Sequence, residues 1–95
     1  MNDTLPMIVM DLKKLIQKRK NLTSLGVVSG YGECWASSVS EIIQCEREAK
    51  EMANTDLLAQ AKKLGADIVH LTLNRAAGVM VSIHKMEGVA YKFQL

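Results

Sequence analysis

The feature that most limits how this chain can fold is a change of hydrophobic period at Gly65. Ahead of it, Val39, Ile42, Ile43, Ala49, Ala53, Leu57, Ala61 and Leu64 trace one apolar stripe at helical spacing. Beyond it the period drops to two. Val69, Leu71 and Leu73 alternate with Ile68, His70, Thr72 and Asn74, and Val79, Val81 and Ile83 alternate with Met80, Ser82 and His84. Such alternation marks half-buried strands sharing one core. One long helix followed by a hairpin, in 95 residues, makes a single small α+β domain.

The helix carries its own start and stop signals. Ser38-Val39-Ser40-Glu41 fits a capping box, in which serine and glutamate satisfy each other's free N–H groups. Asn54-Thr55-Asp56 are poor helix formers, but the stripe keeps its phase across them, which predicts one continuous helix. Lys62 and Lys63 suit the negative end of the dipole, and Gly65 suits a left-handed stop. Upstream, residues 22–29 read as a strand ended by Gly30-Tyr31-Gly32. Residues 6–20 read as an amphipathic helix through Met7, Met10, Leu12, Leu15 and Ile16, with Pro6 in its first turn; a strand through Ile8 and Met10 competes. The division is thus a basic amphipathic helix over 1–21 and a β-α-β-β domain over 22–95.

Connectivity then constrains topology. Strand, helix, strand leaves the first two strands running the same way, so a three-stranded antiparallel sheet needs the hairpin's second arm in the middle, in the order 1-3-2. The long helix lies across one face. A loop of Ala76-Ala77-Gly78 would set Leu71 against Ile83, Leu73 against Val81 and His70 against His84. Residues 89–93 would continue the second arm beyond a bulge at Gly88. Such a unit leaves a bare sheet face and two open edges, which predicts self-association.

Composition excludes several classes of function. A net charge of +2 is too mild to imply nucleic acid, and no apolar run is long enough to span a bilayer. The basic residues Lys13, Lys14, Lys18, Arg19 and Lys20 follow the short apolar run 6–10, the reverse of a secretory signal, which predicts a cytoplasmic protein. Cys34 and Cys45 would then be reduced thiols, and their spacing of eleven matches no zinc or redox template.

Leu25-Gly26-Val27-Val28-Ser29-Gly30, Lys63-Leu64-Gly65-Ala66-Asp67-Ile68-Val69 and Gly88-Val89-Ala90-Tyr91 occur in an order and spacing that resembles a known superfamily. It is that of the YbjQ-type proteins, labelled heavy-metal-binding, and the related Rcs stress-sensing lipoprotein. The resemblance covers about residues 22–95. It implies a dodecin-like β-α-β-β subunit assembled into rings, pentamers for the YbjQ type, and gives no ligand motif to carry over. The lipoprotein branch has a leader, disulfide-forming cysteines and a cysteine near the final strand where this chain has Phe93.

Two groups of side chains invite chemistry. An opposed His70 and His84 would be close enough for both imidazoles to take one divalent ion, or with Met80 and Met86 a soft one such as Cu(I); the alternative is two ordinary polar residues on a sheet surface. Tyr31, Cys34 and Trp35 gather at the junction of the first strand and the helix, as a ligand or interface site. No nucleotide fingerprint is present there, and Trp35 fits the cover of a core end or subunit seam as well as a stacking platform. Cys34 falls near a helix N-terminus that would lower its thiol pKa, with no base beside it in sequence, and Cys45 reads as helix filler. The resulting expectation is a non-enzymatic homo-oligomeric binding or assembly protein, with metal handling at His70 and His84 as the alternative.

Overall fold

The computed structural model describes residues 5–11, 13 and 21–94. One long helix lies across a four-stranded mixed sheet, so the α+β class holds. The strands are β1 (Met7–Val9), β2 (Leu22–Trp35), β3 (Ile68–Ala77) and β4 (Val81–Phe93), and a 3₁₀ turn at Val39–Glu41 leads into helix α1 (Ile42–Lys63). Their order is β1-β3-β4-β2. The hairpin's second arm does run between and antiparallel to its neighbours. The sheet is nevertheless not the expected three-stranded one, because β1 adds a fourth strand parallel to β3, with Ile8 opposite Val69.

Residues 7–9 are therefore strand and not helix. The Met7 N–H donates to the Asp67 carbonyl at 3.1 Å, and Ile8 packs against the core. The remainder of the expected helix, Leu12 and residues 14–20, lies outside the described residues.

The glycines of β2 decide where α1 sits. A Cβ on Gly30 would overlap the Ala53 carbonyl oxygen, and one on Gly32 would overlap that of Ala49. Helix backbone rests directly on strand backbone there, a close approach that only glycine permits. These glycines consequently do not end the strand, which continues to Trp35. Ala49, Ala53, Leu57 and Ala61 form the buried stripe, joined by Cys45 and Leu58, whereas Val39 and Ile43 are exposed. Burying Leu57 completely is worth about 1.5–3 kcal/mol.

Helix ends follow the sequence unevenly. α1 runs unbroken through Asn54-Thr55-Asp56. At its end the Gly65 N–H donates to Lys62 and the Ala66 N–H to Ala61, with Gly65 at φ +79°, closing a Schellman stop. At its start Ser38 caps nothing; the Glu41 carboxylate instead accepts from the Ser37 N–H (3.0 Å) and hydroxyl (2.6 Å).

The hairpin register differs most from expectation. Ala77 pairs with Ile83 and Ala76 with His84, so the arms are joined by the five residues 78–82, with Gly78 at φ +91°. Farther along, His70 pairs with Val89 and Leu71 with Gly88, and the irregularity falls at Thr72 and not at Gly88. Two consequences follow. The extra residue at Thr72 keeps Leu71 under the helix and turns Leu73 to the opposite face. On β4 it is Ser82, His84, Met86, Gly88 and Ala90 that face α1 and are buried, while Val81, Ile83 and Val89 point away. At Gly88 it is the neighbouring strand that demands a small residue, since an added Cβ would crowd the His70 carbonyl oxygen and the Val69 side chain.

Candidate functional site

Chemistry-bearing side chains collect where β2 ends and α1 begins. Alternation along β2 turns Tyr31, Glu33 and Trp35 to the face away from the helix and Cys34 toward it. Glu33 holds its neighbours in place, accepting from Trp35 Nε1 at 2.9 Å and from the Tyr31 hydroxyl at 3.4 Å. Loss of surrounding water, then the Glu33 charge and hydrogen bond, raise the Tyr31 phenol above its ordinary pKa. The Trp35 ring remains 74% exposed.

Cys34 is bonded to Cys45 in a disulfide, with their Cα atoms 5.3 Å apart. This overturns the expectation of two free thiols and of Cys45 as filler. Strand and helix are adjacent here because Gly32 lets α1 settle onto β2, and that contact brings the two cysteines together. The disulfide borders an open hollow of about 420 Å³, walled by Trp35, Glu41, Gln44 and Glu48. The two Ser37 hydrogen bonds hold the Glu41 carboxyl below its ordinary pKa.

Alongside runs a second hollow, about 720 Å³, between the outer edge of β2 at Tyr31 and α1, floored by Met52, Thr55 and Ala59 and walled by Glu48, Glu51 and Asp56. Helix side chains occupy part of that strand edge. The Ser29 N–H donates to Gln60 Oε1 and the Tyr31 N–H to Asp56 Oδ2, each at 3.1 Å. Sequence reasoning missed Asp56 and Gln60. Their four-residue spacing on one helix face was visible, but not that an unpaired strand edge would lie against it.

The two histidines do not come together. His70 is half-buried on the face away from the helix, opposite Val89. His84 is buried beneath the helix, with Nε2 against Asn74 Oδ1, and burial, then the Lys50 charge, lower its pKa. The cross-strand pair that carried the metal assignment is therefore not formed, since the register moved His84 opposite Ala76. Among the described residues, no group of three or more His, Cys, Asp or Glu side chains is placed to hold a metal ion. Nor is any helix among them long and apolar enough to cross a membrane.

No protein-family model matches the chain, and no curated protein matches it.

Proposed function

We propose that this chain is a small homo-oligomeric assembly and binding protein, working without catalysis, whose subunits associate through the sheet face opposite α1. One observation carries the reading: at the hairpin end, the more apolar side of the sheet points away from the helix. Ser82 and His84 are turned inward, while Val81, Ile83 and Trp35 are turned outward. Val27, on the same outward face, is 74% exposed. Apolar surface of this kind marks association in a small protein.

The strand edge supports the same mode. Asp56 and Gln60 occupy edge N–H groups of β2 at Tyr31 and Ser29, which favours association by the face over strand addition. Ring assembly of a dodecin-like subunit is what the superfamily resemblance implies, and the added β1 departs from that subunit. The disulfide suits an oxidising compartment better than the reducing cytosol.

Light scattering at micromolar concentration tests the reading. Wild-type protein is expected to exceed the 10.5 kDa monomer mass, and a Val27→Asp/Trp35→Ser variant to approach it with its circular dichroism unchanged. A wild-type monomer, or a variant that assembles undiminished, overturns it.

A further inference from the structure

The hollow between β2 and α1 has an apolar floor and acidic walls. Met52 is about half exposed within it beside Ala59, and Glu48, Glu51 and Asp56 stand around them. Among its described lining residues there is no lysine or arginine. It continues past Glu48 to Glu41 and the disulfide, so the negative border is longer than one cavity. The opposite charge is concentrated elsewhere in the chain. Lys13, Lys14, Lys18, Arg19 and Lys20 surround the apolar pair Leu15-Ile16 within eight residues. Acidic walls around an apolar floor match basic residues around an apolar pair.

We infer that this groove receives the basic segment 13–20 of a second copy of the chain, an inference that rests on the self-association proposed above. Its own copy would have to stretch the segment almost fully to bring it to the middle of the groove, which favours a second copy as the source. Val9 is level with Val27 through His70 and Val89, three strand spacings or about 14 Å away. Tyr31 is four residues farther along β2, which places it about 20 Å from Val9 and about 30 Å from Leu22 at strand rise. A path from Val9 to the groove and back to Leu22 thus needs about 50 Å. The thirteen steps joining Val9 to Leu22 reach at most about 47 Å when fully stretched. From Tyr31 the groove runs toward Glu48 and the disulfide, away from both anchors, and toward Ala59 at the nearer end, so its acidic Glu48–Glu51 part is the one hardest for the chain's own segment to reach. A two-fold arrangement, with the basic end of each copy on the acidic groove of the other, uses both grooves at once.

The occupied strand edge sets the manner of contact. With Ser29 and Tyr31 N–H groups already bonded to Gln60 and Asp56, the segment docks through its side chains: lysines on Glu48 and Glu51, Leu15 or Ile16 on Met52.

Sedimentation velocity on the full chain tests this. The Glu48→Gln/Glu51→Gln variant alters only exposed positions of α1 and is expected to weaken association roughly tenfold. Raising salt should weaken wild type similarly and the variant much less. A Lys13→Glu/Lys18→Glu/Lys20→Glu chain should associate poorly alone and regain affinity when mixed with a Glu48→Lys/Glu51→Lys chain. Assembly that persists unchanged in the glutamine variant, but is lost in Val27→Asp/Trp35→Ser, overturns the groove and leaves the sheet-face reading standing. A wild-type monomer overturns both.

Discussion

Gly32 lies so close beneath Ala49 that no side chain fits between them: an added Cβ would overlap the Ala49 carbonyl oxygen. The obstacle is helix backbone, which cannot swing aside as a side-chain tip can. Gly32→Ala must push α1 off the sheet or fail to fold, and a loss of about 3 kcal/mol is expected. Urea unfolding measures it. A change within experimental error would show that the helix is not seated as described.

The disulfide closes a short loop, Cys34 to Cys45, that joins β2 to the first turns of α1. On the chain-entropy model a loop of this length stabilises by about 3 kcal/mol. Thermal unfolding with and without reductant, compared with Cys34→Ser/Cys45→Ser, should show that loss. The double variant should then be indifferent to reductant. Thiol titration of the unreduced, denatured wild type should find no free thiol.

Acid should destabilise the fold through His84. Burial, then the Lys50 charge, lower its folded pKa, so as pH falls below the ordinary imidazole value of about 6.5 the unfolded chain takes up a proton that the folded chain resists. This contribution is fully present above that value and is lost as pH falls through the lower, folded pKa. Glu41, also lowered, acts at more acid pH, below the ordinary carboxyl range. Chemical denaturation from neutral to pH 5 should show the slope, and His84→Gln should flatten it. A slope that survives in the variant must come from another group.

Asp56 and Gln60 guard the edge of β2. An Asp56→Leu/Gln60→Leu variant leaves the Ser29 and Tyr31 N–H groups without their partners beside an enlarged apolar stripe. Higher-order aggregation and thioflavin binding are expected on incubation, with secondary structure initially unchanged. Unaltered solubility would mean that the edge is protected by something else.

The helix was legible because its evidence is local. The stripe from Ala49 to Ala61, its survival through Asn54-Thr55-Asp56 and the stop at Gly65 all depend on neighbours within a turn or two. The inward face of β4 was not. Alternation showed that Val81 and Ile83 share a side, and hydrophobicity favoured that side as the core. The long-range register decided otherwise, and it set Gly88 where a larger residue would crowd the His70 carbonyl and Val69 of β3. The Tyr31, Cys34 and Trp35 junction was visible as a concentration of unusual residues. That Cys34 would turn inward while its neighbours turned outward depended on the strand continuing past Gly32. The histidine pair failed with the register, which a three-residue displacement of the turn was enough to change.

Strand β1 docks on a partner some sixty residues later in the chain, with Met7 opposite Ile68. On the ribosome, this strand must therefore wait for a partner made some sixty residues later before it can find its place. The hairpin and the helix–disulfide unit can form from near neighbours, whereas this edge, like the pairing of Leu22 with Phe93, closes only by a long-range search, which slows folding. Any fusion partner joined ahead of residue 7 would burden that search, so a long flexible linker is the sounder choice there when this protein is studied.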